Sequence, residues 1–327
     1  MDGFIWIFLL KCLLVISISQ CKVVNTTEYS PAVYDTLVEL TKFCSVATCI
    51  KYSGDNKAEL QKKLPPDLQE GYEIYKVFEL NGIKSGSGYI ALDHNGGRIL
   101  IVFRGSSSTV DYFYDLNAIP VPYKPLATPK DSSIDECSSC ITHQGFYTSF
   151  IQLYEKVIPV VKDLKKMKKF INYKVVVTGH SLGGALSTLA GIELQLLGYE
   201  PLVVAIAAPK IGSPIMAQWI DQIFQTESHI DSIAFANGDL SEGGYYRIDH
   251  EGDYVPLLPP TAIYAHGGAR FYIGPIELPH LKENTFFTGS YQYTSVSEQL
   301  LKDIRKGENP QKRHQHTRYF MPTSRCK

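Results

Sequence analysis

The sequence of 327 residues has no marked excess of charge of either sign, since its formal net charge is -1. This near-neutrality argues against nucleic acid as an obligate partner. Internal repeats and long low-complexity segments are also absent from the sequence. The one strong local excess is the basic run at 162–170, KDLKKMKKF. Such a run is typical of the solvated end of a helix, and the alternative is a patch that binds an anionic surface.

An apolar run of membrane-spanning length is missing as well. The apolar stretch at 4–18 is interrupted by Lys11, and it is shorter than the roughly 20 residues that a bilayer span needs. We therefore expect residues 1–20 to be a signal peptide that is removed on secretion, with an uncleaved membrane anchor as the alternative. Residues 21–327 are then predicted to form one domain, because α/β folds of this length often do.

The seven cysteines offer little for metal binding. Cys137 and Cys140 form a Cys-x-x-Cys pair, but no second pair follows at zinc-finger spacing. In an oxidising compartment a tight disulfide loop is the better prediction for them. Export would also make Asn25, in Asn-Thr-Thr, a glycosylation acceptor. No sequence pattern indicates a metal ion, an organic cofactor or an obligate protein partner.

The sequence does contain alternating helix-like and strand-like segments. Helical spacing of apolar residues predicts helices over 31–43, 145–167, 182–197 and 213–224. Runs rich in β-branched residues predict strands over 88–94, 98–105, 173–179, 201–209, 231–236 and 245–250. The continuous apolar runs at 173–179 and 201–209 are typical of central strands covered by helices on both faces. The hairpin signal Asn-Gly-Gly at 95–97 requires an antiparallel pair, so we predict an α/β fold with a mixed, mostly parallel sheet.

The segment Gly179-His180-Ser181-Leu182-Gly183 fits the G-x-S-x-G pattern. A predicted strand precedes it and a predicted helix follows it, which is the context that this motif requires for a nucleophilic serine. The flanking glycines let the strand and the helix approach closely around a sharp turn. We predict that Ser181 is a nucleophile. The alternative is a glycine-rich turn with a serine N-cap.

A serine nucleophile needs a general base and a carboxylate that orients the base. Asp253 is the favoured carboxylate, because it lies in a proline-stiffened loop directly after a predicted strand. Asp249 is the alternative, although it is expected to lie within that strand. The sequence alone leaves the base open among five histidines: His250, His266, His280, His314 and His316. His266, in a His-Gly-Gly segment after the nucleophile, is interpreted as structural, since an oxyanion loop should precede the nucleophile.

Five stretches together resemble the fungal class 3 triacylglycerol lipases, especially their secreted yeast members. These are GYIALDH…RILIVFRGSSS, ECSSCITHQGF, YKVVVTGHSLGGA, YRIDHEGDYVPLLPP and HTRYF. The resemblance implies an α/β-hydrolase fold and a triad that closes with a C-terminal His-x-x-Tyr-Phe. It therefore implies Ser181, Asp253 and His316 as catalytic residues, with the oxyanion held by Leu182 and Ser106. A tyrosine after the aspartate and a lysine- and histidine-rich lead-in to the histidine depart from the usual family pattern.

The same resemblance implies a short amphipathic helical lid directly after Ser106. Its bulky side chains would be Val110, Tyr112, Phe113 and Tyr114, and the alternative is an ordinary helix packed on the core. The resemblance also implies disulfides between Cys49 and Cys326 and between Cys137 and Cys140. It leaves Cys44 without a family partner, and Cys21 is a candidate mate only if it survives cleavage.

The expected function is that of a secreted serine esterase that cleaves lipid esters, most simply triacylglycerols, at an oil-water or membrane interface. A phospholipase A1 and a feruloyl-type esterase are the alternatives within the same chemistry. The alternative from another class is a catalytically silent lipid-binding protein of the same fold.

Overall fold

The computed structural model describes residues 23–54, 56–80, 86–106, 118–131, 134, 137–259, 263–275, 277–290 and 315–326. The strands are β1 (Val23–Thr26), β2 (Tyr72–Glu79), β3 (Ser87–Asp93), β4 (Arg98–Phe103), β5 (Pro120–Pro122), β6 (Ile141–His143), β7 (Lys174–His180), β8 (Leu202–Ile206), β9 (Gly244–His250), β10 (Ala269–Ile273), β11 (Thr285–Gly289), β12 (Arg318–Tyr319) and β13 (Met321–Pro322). The helices are α1 (Pro31–Ala47), α2 (Ile50–Ser53), α3 (Lys57–Gln61), α4 (Gln144–Lys166), α5 (Leu182–Leu196), α6 (Pro214–Ile223) and α7 (Thr226–Phe235).

Nine of these strands form one sheet in the order β1-β11-β10-β9-β8-β7-β4-β3-β2. The five central strands β10, β9, β8, β7 and β4 run parallel to one another. Antiparallel strands flank them on both sides: β3 and β2 on one side, β11 and β1 on the other. The carboxyl ends of the parallel strands therefore meet at one edge of the sheet, where ligand and catalytic groups of such folds collect.

The central strands are buried because each of their faces packs against helices. In β7, Val175 and Val177 belong to the core cluster beneath α4, α5 and α6, whereas Val176 belongs to the cluster beneath α1 and α7. Side chains alternate between the two faces of a strand, so both faces of β7 must be apolar. All five residues of β8 are buried for the same reason.

Most of the predicted elements are present near their expected bounds. The helix expected over 31–43 continues to Ala47, and the long helix contains Pro159 within its 23 residues. The strand expected over 231–236 is wrong, since residues 226–235 form helix α7. Ile230 and Ile233 are both buried there, and a spacing of three residues places them on one helical face.

The expected signal peptide and the expected lid residues Val110, Tyr112, Phe113 and Tyr114 lie outside the described residues. Within the described ranges, no helix is both long enough and apolar enough to cross a membrane. The same ranges do not bring three or more histidine, cysteine, aspartate or glutamate side chains together where they could hold a metal ion.

Candidate active site

Ser181 occupies the turn between strand β7 and helix α5 with a strained backbone, φ 61° and ψ -125°. A residue with a side chain rarely adopts a positive φ, and such strain concentrates at functional sites. The turn is possible because its glycines have no Cβ. A Cβ on Gly179 would lie 2.2 Å from the carbonyl oxygen of Gly183, and one on Gly183 would lie 2.3 Å from that of Phe103. The Ser181 amide is held by a 2.8 Å hydrogen bond to the carbonyl of Ile206 in the neighbouring strand.

Asp253 and His316 are brought together from segments 63 residues apart in the chain. Asp253 follows the end of β9, and His316 lies two residues before the start of β12. The Nδ1 atom of His316 lies 2.9 Å and 3.1 Å from the two carboxylate oxygens of Asp253. Both side chains are almost completely removed from solvent. This contact fixes the orientation of the imidazole and places a buried negative charge beside it, which favours protonation of the ring during a reaction.

Two further donors hold the Asp253 carboxylate. The hydroxyl of Tyr319 donates to Oδ2 at 2.6 Å, and the amide of Val255 donates to Oδ1 at 3.0 Å. Burial alone would raise the pKa of Asp253, but the imidazole of His316 and these hydrogen bonds outweigh it and lower the pKa below its ordinary value. Asp253 is therefore ionised at neutral pH despite its burial.

The side chain of His180 contacts both the backbone and the ring of His316. The Nε2 atom of His180 donates to the carbonyl oxygen of His316 at 2.7 Å, and the two rings are 4.7 Å apart. Burial, followed by the charge of His316, lowers the pKa of His180 to about 3. A neutral His180 can pack beside His316 without repelling the positive charge that a general base acquires.

Ser181 and His316 line the same cavity, whose volume is about 350 Å³. The Oγ atom of Ser181 and the Nε2 atom of His316 are buried, and neither has a hydrogen-bond partner within the described part of the chain. The two side chains thus share a cavity without a direct hydrogen bond between them. Catalytic hydrogen bonds are often long in ligand-free enzymes and tighten only in a complex.

The predicted oxyanion residues surround Ser181. Ser106 lines the same cavity, and its buried hydroxyl has no hydrogen-bond partner among the described residues. The preceding residue, Gly105, approaches Ser181 so closely that a Cβ on it would lie 3.4 Å from the Ser181 Cβ. Leu182 is the first residue of α5, and the first amides of a helix have no partner within the helix. Ser106 and Leu182 are therefore positioned beside the nucleophile candidate.

The remaining candidate residues are engaged elsewhere. Asp249 lies within β9 and accepts a 3.0 Å hydrogen bond from Arg247. The ring nitrogens of His250 lie 3.4 Å and 2.7 Å from the carbonyl oxygens of Gln315 and Pro275. His266 donates to the carbonyl of Pro256 at 2.7 Å, and His280 Nδ1 accepts from the amide of Phe320 at 3.0 Å. His314 lies outside the described residues.

Both disulfides implied by the resemblance are present. Cys49 is bonded to Cys326 across 277 residues, and Cys137 is bonded to Cys140. The first bond fastens the segment that carries His316 to the end of α1. Cys44 is a free, buried thiol 3.4 Å from the Thr178 hydroxyl.

The contacts of Tyr319 and His180 with the histidine–aspartate pair were not predicted from the sequence. Tyr319 appeared there only as part of a family motif, although its position three residues after His316 was a usable signal. His180 was treated as the variable residue of G-x-S-x-G. No sequence pattern predicts that its ring contacts a histidine 136 positions away.

A serine at a strand–turn–helix corner, beside the carboxyl ends of parallel strands, together with a histidine–aspartate pair from later loops, defines the class of α/β-hydrolase fold proteins. Comparison with known proteins identifies the family within that class. Residues 100–263 match the family described as "Lipase (class 3)", and the chain belongs to this family.

Similarity to individual relatives extends beyond the matched region. The chain is 34% identical to the LIH1 protein of Saccharomyces cerevisiae over 284 residues, which cover 80% of this chain and 84% of the other. It is 33% identical to a lipase of Rhizomucor miehei over 63% of this chain and 50% of that protein. Among solved structures, the Lip2 lipase of Yarrowia lipolytica superposes with a TM-score of 0.70 at 26% identity, covering 91% of this chain and 98% of the other.

Proposed function

We propose that the protein is a serine hydrolase that cleaves carboxylic esters of lipids, with Ser181, His316 and Asp253 as its triad and triacylglycerol as its principal substrate. The single observation that carries the proposal is the geometry of His316. The Nδ1 atom of His316 is held by the buried Asp253 carboxylate, and His316 lines the same cavity as Ser181. Its Nε2 has no other hydrogen-bond partner in the described part of the chain, so this nitrogen can accept a proton.

The proposed reaction has two halves. The Oγ of Ser181 attacks the ester carbonyl while its proton passes to Nε2 of His316, and Asp253 stabilises the imidazolium. The proton then passes to the departing alcohol, which leaves an acyl-serine. Water attacks the acyl group, gives its proton to the same nitrogen, and the fatty acid departs as Ser181 regains its hydrogen.

The negative oxygen formed in each half needs donors that are fixed in advance. The backbone amide of Leu182 and the amide and hydroxyl of Ser106 are proposed for this role. The Ser106 hydroxyl is buried beside Ser181 with no partner among the described residues. Loss of one such donor typically lowers kcat by about a hundredfold to a thousandfold.

Secretion is part of the proposal. Two disulfides and an exposed Asn25 in a glycosylation sequence suit an oxidising, extracellular compartment. Several relatives at 27% identity are named as secreted mono- and diacylglycerol lipases. Sequencing the N-terminus of the protein recovered from a culture medium tests both the secretion and the cleavage.

The test is active-site labelling combined with a substrate panel. A fluorophosphonate should label the wild type and Ser187→Ala but not Ser181→Ala. Ser187 is a suitable control because it is buried in α5, directly after the turn that carries Ser181, and its hydroxyl donates to the Gly184 carbonyl. Emulsified triacylglycerol, phospholipid and feruloyl esters are then compared as substrates. Labelling of Ser181→Ala, or its full activity, would refute the mechanism, and a folded wild type that neither labels nor hydrolyses any ester would be the silent lipid-binding protein.

A further inference from the structure

The basic segment that joins α4 to β7 is a surface that the proposed function does not use. We define the lysine loop as residues 162–174, which contain six lysines and one acidic residue, Asp163. Lys166 pairs with Asp163 at 3.0 Å, and Lys165 donates to the carbonyls of Tyr173 and Ile171. The other four make no ion pair within the described part of the chain: Lys162, Lys168, Lys169 and Lys174.

Two apolar side chains lie exposed among these lysines. Met167 is 44% exposed and Ile171 is 51% exposed. Between them Phe170 is buried, which holds the turn against the core. A solvated helix end, our first interpretation of the run, explains the lysines but not the exposed methionine and isoleucine. Cationic side chains that flank exposed apolar ones are typical of surfaces that bind a lipid interface.

Within the described part of the chain, Asp163 is the one acid that forms an ion pair with a lysine of the loop. Glu73, on β2, lies 3.3 Å from His94 Nε2. The other ring nitrogen of His94 lies 3.3 Å from the Tyr173 hydroxyl, so Glu73 is connected to the rim of the loop through His94. The loop therefore keeps a positive surface although the whole chain is close to neutral.

The loop lies at the end of the molecule opposite the candidate active site. Strand β7 begins at Lys174, inside the loop, and ends at His180, directly before Ser181. Seven residues of strand separate these two ends by roughly 20 Å.

We propose that the lysine loop docks on an anionic lipid bilayer. Met167 and Ile171 would enter the interface while the unpaired lysines meet acidic headgroups. The bilayer is favoured over a soluble polyanion because Met167 and Ile171 are exposed beside the lysines. Docking in this way directs the active-site end away from the bilayer, so this surface tethers the protein and leaves the site open to substrate from the other side.

The test is co-sedimentation of the full chain with vesicles of ether-linked lipids, which an esterase cannot cleave. Vesicles of phosphatidylcholine are compared with vesicles of equimolar phosphatidylcholine and phosphatidylserine. The measured quantity is the ratio of the two partition coefficients, because binding that does not depend on charge contributes equally to both. Raising NaCl from about 0.1 M to about 1 M shortens the Debye length from about 10 Å to about 3 Å and should abolish the preference.

Lys168→Gln/Lys169→Gln should lower that ratio about 25-fold, since each lysine near an anionic surface contributes about fivefold. The matched control is Lys57→Gln/Lys63→Gln, two exposed lysines on either side of Leu60, which packs in the core on the opposite face of the sheet from Phe170; this change should leave the ratio unchanged. Met167→Ser/Ile171→Ser should weaken binding, whereas Ile151→Ser, at a 40% exposed residue on α4, should not. An equal loss in the lysine control refutes the proposal. Unchanged binding of Met167→Ser/Ile171→Ser with full competition by a soluble polyanion would assign the loop to that partner instead.

A second measurement tests the orientation and rests on the proposed function. Hydrolysis of a soluble short-chain ester should be unaffected by saturating anionic ether-lipid vesicles, because the cavity faces away from them. Activation or inhibition on docking would show that the active-site end meets the bilayer. A protein without esterase activity is recognised in the reactions without vesicles, so that failure stays distinct from a failure of the docking surface.

Discussion

The hydroxyl of Tyr319 offers the most specific test of how the triad is held. Tyr319→Phe removes the 2.6 Å hydrogen bond to Asp253 Oδ2 and leaves the completely buried ring in place. A hydrogen bond to a charged group contributes about 1.5–3 kcal/mol. Only the part of this energy that keeps Asp253 aligned with His316 in the transition state affects the rate. If about half of it acts there, kcat falls roughly 3- to 12-fold, since about 1.4 kcal/mol corresponds to tenfold.

The same change should also alter the pH dependence. The Tyr319 hydroxyl helps to lower the pKa of Asp253, so its removal raises that pKa and Asp253 becomes protonated at a higher pH. The acidic limb of the kcat/KM profile is therefore expected at higher pH in Tyr319→Phe than in the wild type, while KM stays nearly constant. A purely structural tyrosine would not move this limb.

Steady-state kinetics on a soluble ester measures both effects. Tyr29→Phe is the matched control, because its hydroxyl also bonds inside the fold, to the Thr285 carbonyl at 3.0 Å, and not to Asp253. A folded Tyr319→Phe enzyme with wild-type kcat and an unshifted profile would show that the hydroxyl does not act through Asp253. An equal loss in Tyr29→Phe would mean that the assay reports general destabilisation.

Three further predictions concern stability and reactivity. Glu193 is buried in α5 and accepts from Tyr123, Leu126 and Ala127. Burial raises its pKa, so its contribution to stability is complete below about pH 4.3 and falls as pH rises through the raised value. Glu193→Gln should remove this pH dependence of stability and lower the free energy of unfolding, measured in urea, by about 1–3 kcal/mol. By the chain-entropy relation for a 277-residue separation, Cys49→Ser/Cys326→Ser should lower the free energy of unfolding by up to about 5–6 kcal/mol, and it should also lower esterase activity. By the same relation, Cys137→Ser/Cys140→Ser should lower the free energy of unfolding by about 2 kcal/mol. Equal melting temperatures for the two variants would contradict the relation. Burial raises the pKa of Cys44 to about 12, so its thiol should resist alkylation at pH 8 until denaturant is added.

The parts of the fold that were predictable are those with a strong local signal. Strands β7 and β8 are continuous apolar runs, and the turn at Ser181 has a fixed sequence context with glycines that the packing requires. Asp253 was also predictable from the sequence, because a carboxylate in a proline-stiffened loop after a strand is a local pattern. These features depend on neighbours in sequence.

The features that were missed depend on partners distant in sequence. Strands β2, β10 and β11 have mixed patterns and become strands through pairing with neighbours in the sheet. The choice of His316 among five histidines needed a family resemblance, because the pairing with Asp253 spans 63 residues. Helix α7 was misassigned because β-branched residues were weighted above the three-residue spacing of Ile230 and Ile233.

Strand β1 has a consequence for the handling of the chain. It consists of four residues, Val23–Thr26, and forms one outer margin of the nine-stranded sheet. Proteolytic trimming only a little beyond the expected cleavage point would uncover the backbone of β11 and create a template for self-association. Asn25 is exposed within this strand. A sugar attached to Asn25 would shield that margin, so enzymatic deglycosylation should make the protein more prone to aggregate without touching the chemistry of its cavity.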